Sequence, residues 1–154
     1  MAILVDTNIL LRSVQTHHPH YAVVENALSV LRTNNETLNV TIQNLIEFWA
    51  VATRPVEAEN GLGMTIETVT EEVAVLKDLF PLLPEPSSLF EEWERLVTTH
   101  RVSGKNTHDA RLVAAMKVNG IRKILTFNVR DFTRYRDLEP IHPQTLVSPA
   151  GIHF

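Results

Sequence analysis

Two short polar segments follow apolar runs that are typical of buried strands, and they are the first candidates for chemistry. Asp6-Thr7-Asn8 follows the run at residues 2–5, and Thr126-Phe127-Asn128 ends the run that begins at Lys123. In an open parallel sheet, ligands bind beyond the carboxyl ends of the strands, so both segments are predicted to face such a site. Asp6 also has a structural interpretation, because an aspartate here can cap the helix that follows.

Two further carboxylates, Asp109 and Glu47, lie on predicted helices. Asp109 falls in the first turn of a helix that begins near Thr107, where the helix dipole favours a carboxylate without any catalytic role. Glu47 lies away from the apolar stripe of its helix, and no Lys or Arg follows it at i+3 or i+4 to form a surface ion pair. A solvated side chain is the alternative interpretation of Glu47. Neither residue identifies a site by itself.

The elements that position these residues alternate between strand and helix. Short apolar runs predict strands at residues 2–5, 38–41, 80–83, 123–127 and 138–141. Helical periodicity predicts helices at residues 7–14, 21–32, 42–53, 65–79, 88–100 and 107–118. The Ser88-Leu89-Phe90-Glu91 segment predicts a capping box. The alternation favours one α/β domain over residues 1–154, with a mostly parallel sheet.

The composition is typical of a compact globular domain and excludes several kinds of site. Of the 154 residues, 44% are hydrophobic and 21% charged, which is unlike disordered or collagen-like chains. The chain has no cysteine, so it has no disulfide, thiolate zinc site or cysteine nucleophile. A carboxylate at position 6 interrupts the first apolar run, which is unlike a signal peptide, and no run is long enough to span a membrane. We therefore expect a soluble, cytoplasmic protein.

Positive charge is concentrated in the C-terminal part of the chain. Residues 1–94 carry 4 Lys+Arg against 14 Asp+Glu, whereas residues 95–154 carry 10 against 4. A polyanion such as RNA could lie along the basic part, and a solvated helix face is the alternative interpretation. The candidates for phosphate contacts are Arg101, Lys105, Arg111, Arg130 and Arg134.

The candidate residues recur within four segments that keep a fixed order along the chain. These segments are Val5-Asp6-Thr7-Asn8, Asn44-Leu45-Ile46-Glu47-Phe48, Thr107-His108-Asp109-Ala110-Arg111-Leu112-Val113-Ala114-Ala115 and Ile124-Leu125-Thr126-Phe127-Asn128-Val129-Arg130-Asp131-Phe132. Together they resemble the PIN-domain family of metal-dependent ribonucleases, and among them the VapC-type toxins of bacterial toxin-antitoxin pairs. The resemblance covers nearly the whole chain. It implies a PIN-like three-layer α/β/α domain with a mostly parallel central sheet.

The resemblance also implies roles for individual residues. Asp6, Glu47 and Asp109 would form an acidic triad, and Asn128 would occupy a fourth catalytic position that is often acidic in the family. The amide of Asn128 can coordinate through its oxygen or orient a water, but it adds no negative charge. The residues implied around this set are Thr7, Asn8, Thr126 and Asp131. Asp131 could itself supply a carboxylate, or it could cap a helix over residues 132–136.

Carboxylates suit the reaction that the resemblance implies. Hard oxygen ligands hold Mg²⁺ or Mn²⁺, and such a cation offsets the charge of a phosphodiester and activates water for attack on phosphorus. Asp6 and Asp109 are implied as direct metal ligands, and Glu47 as a ligand that acts through water, as orienter or general base. Thr7, Asn8 and Thr126 would fix the carboxylates.

The implied function is that of an endoribonuclease which hydrolyses RNA with Mg²⁺ or Mn²⁺ as the toxin of a toxin-antitoxin pair. The implied partners are the RNA substrate, a small antitoxin protein and a second copy of the chain in a homodimer, with no membrane. A non-cleaving PIN-like module that binds RNA or protein is the main alternative, because Asn128 is neutral. A phosphoaspartate receiver domain would need paired acids after the first strand, whereas this chain has only Asp6 there.

Overall fold

The computed structural model describes residues 1–146, and within them a four-stranded sheet forms the centre of the molecule. The strands are β1 (Ala2–Val5), β2 (Thr37–Asn39), β3 (Lys123–Leu125) and β4 (Glu139–Ile141). Their order across the sheet is β2-β1-β3-β4, and every pair is parallel. The predicted α/β class with a mostly parallel sheet is therefore confirmed.

The predicted strand at residues 80–83 is wrong. This segment makes a single isolated parallel bridge, between Val40 and Leu82, beside the β2 edge. Pro81 and Pro84 flank Leu82 and Leu83 and have no backbone N–H to donate. A continuous hydrogen-bonded ladder is therefore excluded at this edge.

Six helices cover the two faces of the sheet within the described residues. They are α1 (Thr7–Ser13), α2 (Tyr21–Thr33), α3 (Ile42–Ala52), α4 (Ile66–Leu79), α5 (Leu89–Thr99) and α6 (Asn106–Val118). None of these helices combines the length and the apolar character that a membrane crossing requires.

The alternation of side chains along β1 divides the core into two layers. Ile3 and Val5 belong to a cluster with apolar residues of α1, α2, α3 and α4. Leu4 points to the opposite face and belongs to a cluster with residues of α5 and α6. Successive side chains of a strand face opposite sides of a sheet, so a short apolar strand buried on both faces produces this three-layer arrangement.

The helix starts lie within one residue of the sequence prediction, but one predicted helix cap is not formed. Ser88 precedes α5 but makes no capping hydrogen bond with its side chain, so the predicted capping box is wrong there. A capping box is found instead at α3, where the Thr41 side chain accepts from Asn44 N at 3.0 Å and Asn44 Oδ1 accepts from Thr41 N at 2.9 Å. This box fixes the start of the helix that carries Glu47.

Thr41→Ala should lower the free energy of unfolding by about 1–2 kcal/mol, because it removes a buried helix cap. Ser88→Ala is the matched control, and it should change the same quantity by less than about 0.5 kcal/mol because its side chain caps nothing. Urea unfolding followed by circular dichroism measures both values. Equal losses in the two variants would contradict this account of the α3 start.

Candidate active site

The central strands β1 and β3 end side by side, at the point where the strand order changes direction. Asp6 follows β1 directly, and its backbone N–H donates to the carbonyl oxygen of Leu125 at the end of β3 over 3.0 Å. Thr126 is the next residue after Leu125. Crevices of this kind at the carboxyl ends of parallel strands are the usual ligand sites of open α/β sheets.

Asp6 is buried and held by three donors. Its Oδ1 accepts from Thr7 N at 2.8 Å, so Asp6 caps α1. The structural interpretation of Asp6 as a helix cap is therefore confirmed. Its Oδ2 accepts from Thr126 Oγ1 at 2.8 Å and from Asn8 Nδ2 at 3.4 Å. Asn8 Oδ1 accepts in turn from Phe127 N at 3.2 Å. Asn8 and Thr126 therefore fix one carboxylate oxygen and join the ends of β1 and β3.

Glu47 is linked to the same turn through Thr7. The Thr7 hydroxyl donates to Glu47 Oε1 at 2.7 Å and accepts from Asn44 Nδ2 at 3.1 Å. The solvated interpretation of Glu47 is therefore incomplete, because its carboxylate is half-buried and faces the α1 start. Thr7, Asn8 and Thr126 each donate a hydrogen bond to the carboxylate of Asp6 or Glu47.

Sequence reasoning missed Gln43, which connects α3 to α6. Gln43 Nε2 donates to Glu47 Oε2 at 3.1 Å and to the carbonyl oxygen of His108 at 2.8 Å. Gln43 Oε1 accepts from Arg111 Nη1 at 2.9 Å, and Arg111 Nη2 contacts Glu85 Oε1 at 3.0 Å. The only signal in the sequence is the i,i+4 spacing of Gln43 and Glu47.

Asp109 lies in the first turn of α6, where the sequence placed it, and it is half-buried. Burial raises the pKa of the Asp109 carboxyl to about 7, and the charges of Asp6, Asp131 and Glu47 act in the same direction, whereas Arg134 lowers it. Burial likewise raises the pKa of Asp6 to about 6, with opposing hydrogen bonds from Thr126 and Thr7 and further repulsion from Glu47 and Asp131. The carboxylates therefore form one electrostatically coupled group.

Asp131 belongs to this group by charge, and Asn128 lies beside it. Asp131 sits in a 3₁₀ turn over Val129–Phe132 and is exposed, yet its charge raises the pKa of both Asp6 and Asp109. Because the turn contains Asp131, the residue does not cap a helix over residues 132–136. Asn128 is also exposed, and its backbone N–H donates to Thr126 Oγ1 at 3.0 Å.

The sequence profile of the PIN domain matches residues 3–138. The chain belongs to the PIN-domain family. No curated protein matches this PIN domain significantly in sequence. The resemblance of the four segments to the PIN-domain family is thereby confirmed.

Solved structures share the fold of this PIN domain at low sequence identity. VapBC2 from Rickettsia felis, bound to a DNA fragment from its promoter, is 16% identical to this chain. The TM-score is 0.68, and the match covers 92% of this chain and 98% of that chain. VapBC-1 from nontypeable Haemophilus influenzae is also 16% identical with a TM-score of 0.68, over 94% and 99%. Mycobacterium tuberculosis VapC20, a sarcin-ricin loop cleaving toxin, is 18% identical with a TM-score of 0.55, over 79% and 86%.

The donor set of the PIN domain fits a hard divalent cation by its chemistry. Within residues 1–146, no three acidic or histidine side chains converge closely enough to hold a metal ion. The carboxylates are nevertheless grouped, because burial raises the pKa of Asp6 and of Asp109 and the charges of Glu47 and Asp131 raise both further. Carboxylate oxygens are the ligands that Mg²⁺ and Mn²⁺ prefer. Rotamer changes at Asp6, Glu47 and Asp109 are what metal coordination would require.

The basic residues near the site divide into two kinds. Arg111 is paired with Glu85, so its charge is largely compensated, which weakens its predicted role as a phosphate contact. Arg130 and Arg134 are exposed on the segment that follows β3, and Arg134 lies close enough to lower the pKa of Asp109. These two arginines are the better placed candidates for phosphate.

Proposed function

We propose that this PIN domain is a metal-dependent endoribonuclease. The observation that carries the proposal is the coupled group of Asp6, Glu47 and Asp109 at the carboxyl ends of the central strands, with the pKa values of the two aspartates raised to about 6 and about 7. Clusters of ionisable groups with shifted pKa values occur preferentially at functional sites. Membership of the PIN-domain family supports a nuclease.

The residues have distinct tasks in this mechanism. A bound Mg²⁺ or Mn²⁺ supplies a Lewis acid that offsets phosphodiester charge and activates water. Asp6 and Asp109 would hold the cation directly, and Glu47 would orient the water or accept its proton. Thr126 and Asn8 donate to the Asp6 carboxylate, while Thr7 donates to that of Glu47, so both acids are tied to the carboxyl ends of the central strands.

The other polar groups would bind the substrate. Arg134 is exposed and acts on the charge of Asp109, and Arg130 is exposed and precedes Asp131 in the chain, so both would contact RNA phosphates. The Asn128 amide would orient a water or a phosphate oxygen, and Asp131 would add a fourth carboxylate, which its effect on the pKa of Asp6 and Asp109 supports.

The proposed setting is a toxin-antitoxin pair in the cytoplasm. The structural neighbours include two VapBC pairs and a toxin that cleaves the sarcin-ricin loop, and they share the fold over most of this chain. By that likeness we assign this chain a small antitoxin as partner, and by the family resemblance a homodimer as its assembly. RNA is the substrate assigned to it. The alternative is a PIN-like module that binds RNA or protein without cleaving. Incubation of the protein with RNA distinguishes the two.

The ends of the RNA products test the proposal. Total bacterial RNA incubated with the protein and Mg²⁺ or Mn²⁺ should give fragments with a 5′-phosphate and a 3′-hydroxyl, since a water attacks from outside the chain. Attack by the neighbouring 2′-hydroxyl, the route of metal-free ribonucleases, leaves 2′,3′-cyclic phosphates instead. A single deoxyribose at the cut position should therefore slow cleavage only modestly, through lost contacts.

Mass spectrometry of the fragment ends measures this outcome, and Asp109→Asn serves as the control for contaminating ribonucleases. Cyclic phosphate ends that depend on the unsubstituted protein would exclude the assigned roles of Asp6, Glu47 and Asp109. RNA that is bound but never cut, with either cation, would favour the binding module.

A further inference from the structure

A cavity of about 520 Å³ opens between α5 and the start of α6. Its lining includes Phe90, Trp93, His108 and Arg111. A volume of this size lies within the range of small-molecule sites, roughly 300–1,000 Å³. The proposed mechanism assigns no role to this cavity.

One wall of the cavity is aromatic. Phe90 is 62% exposed, and its ring centroid lies 5.5 Å from that of Trp93 at an interplanar angle of 32°. The indole N–H of Trp93 donates to the carbonyl oxygen of Thr107 at 2.8 Å, which fixes the orientation of its ring. An exposed phenylalanine beside an anchored tryptophan offers an apolar surface on which a flat ring can stack.

A second part of the lining is polar and includes Arg111 and His108. The Arg111 guanidinium is held by Glu85 at 3.0 Å and by Gln43 at 2.9 Å, so its plane is fixed. Gln43 also donates to Glu47, and His108 immediately precedes Asp109 in the chain. One residue, Gln43, thus separates the Arg111 guanidinium from Glu47, and the lining residue His108 is adjacent in the chain to Asp109.

We infer that this cavity binds one unstacked nucleobase of the RNA, from a nucleotide adjacent to the cleaved phosphate. The inference rests on the proposed ribonuclease function and names a subsite for its substrate. Bases of single-stranded RNA stack on aromatic rings and on arginine planes, and the cavity presents Phe90, Trp93 and Arg111. An aromatic side chain of a protein partner would also stack there. The RNA base is favoured because two lining residues connect the cavity to the acids proposed to act on its phosphate, Arg111 to Glu47 through Gln43 and His108 to Asp109 along the chain.

Fluorescence of Trp93 tests the inference directly. The chain has two tryptophans, so Trp49→Phe leaves Trp93 as the single reporter, and Asp109→Asn in the same protein prevents cleavage. The probes are a mixed-sequence single-stranded RNA of about 12 nucleotides and an abasic phosphodiester of equal length and charge. Stacking predicts quenching of Trp93 by the RNA and not by the abasic polymer.

Phe90→Ala should weaken binding of the RNA about tenfold, because base stacking is lost, and should leave binding of the abasic polymer unchanged. Phe90→Leu keeps apolar volume without an aromatic face and should show most of the same loss. The matched control is Ile66→Ala on α4, since Ile66 is 57% exposed, similar to Phe90. In a protein that retains Asp109, Phe90→Ala should raise KM for RNA while kcat stays unchanged.

Equal binding of the two probes, or unchanged RNA affinity in both Phe90 variants, would overturn the inference and leave the cavity to a protein partner. Cleavage of RNA with 5′-phosphate ends would persist in that case, so the proposed function would stand. Failure of the unsubstituted protein to cut RNA at all would instead reject the proposed function. The two failures are therefore distinguishable.

Discussion

Asp109→Asn should lower the rate of RNA cleavage at least ~100-fold at saturating Mg²⁺ or Mn²⁺. The substitution keeps the size of the side chain but removes the charge that binds and orients the cation. The remaining acids would hold a cation less tightly and in a different position. Asp6→Asn and Glu47→Gln should cause losses of the same order. Chelation of divalent cations by EDTA should produce the same loss in the unsubstituted protein.

The Asp109→Asn variant is informative because its fold should be intact. Asp109 is half-buried, and among residues 1–146 its carboxylate accepts no hydrogen bond that the amide would break. Asp6 is less suitable alone, because its carboxylate accepts from Thr7, Thr126 and Asn8, and an amide cannot accept all three.

Asp78→Asn is the matched control for the loss of one negative charge. Asp78 is exposed on α4 and lies outside the coupled acidic group, so its rate of cleavage should be unchanged. Rates of product formation from labelled RNA measure all four variants. Full activity of Asp109→Asn, or full activity of the unsubstituted protein in EDTA, would contradict the mechanism.

The sheet was predictable where local patterns determine it. The apolar runs at β1 and β3 end in polar residues, and both strands occupy the centre of the sheet with their carboxyl ends adjacent. The segment at residues 80–83 has a similar apolar pattern, but Pro81 and Pro84 limit it to one bridge. An apolar pattern shows which side chains are hydrophobic, but it does not show whether each residue has a backbone N–H to donate to a neighbouring strand.

The orientation of α3 could not be predicted from its apolar stripe. Ile42 is 45% exposed and Ile46 is 63% exposed, although both belong to the apolar stripe of the sequence, whereas the polar Gln43 is buried. Burial of Gln43 is favourable because His108 and Arg111 on α6 satisfy its amide. These partners are distant in sequence, so no local pattern reveals them.

The acidic residues were located by the family resemblance more than by their own spacing. Each of Asp6, Asp109 and Glu47 has a plausible structural role when taken singly, and Asp6 does cap α1. Their coupling depends on three elements that meet only in the folded chain. Asp131 illustrates the limit, since the sequence allows either a helix cap or a site carboxylate there. The 3₁₀ turn over Val129–Phe132 excludes the cap, and the charge interaction with Asp6 and Asp109 favours the carboxylate.

The Asp109 carboxyl should make the free energy of unfolding depend on pH. The pKa of Asp109 is raised from 3.8 to about 7, so the folded protein binds a proton more tightly than the unfolded chain does. Between about pH 4 and pH 7 this group therefore lowers the free energy of unfolding as pH rises, and above about pH 7 the full destabilisation is present. Asp6, Glu47 and Asp131 repel the Asp109 carboxylate, and Arg134 attracts it.

Removal of this charge should thus stabilise the protein at high pH in the presence of EDTA. We expect Asp109→Asn to have the same free energy of unfolding as the unsubstituted protein near pH 4 and one about 1–2 kcal/mol higher near pH 8, since solvent screens a half-buried carboxylate. Urea unfolding at both pH values measures this difference, and Asp78→Asn should show no such change with pH.

Mg²⁺ or Mn²⁺ added near pH 8 should offset the same repulsion between the carboxylates by binding to them. A cation that binds only the folded state stabilises it by about 2.7 kcal/mol at a hundredfold excess over its dissociation constant. Asp109→Asn should lose most of this increment, and the unsubstituted protein should lose it near pH 4, where Asp6 and Asp109 are protonated. An increment that is equal in both proteins and at both pH values would place the cation elsewhere and reject the acidic group as its site.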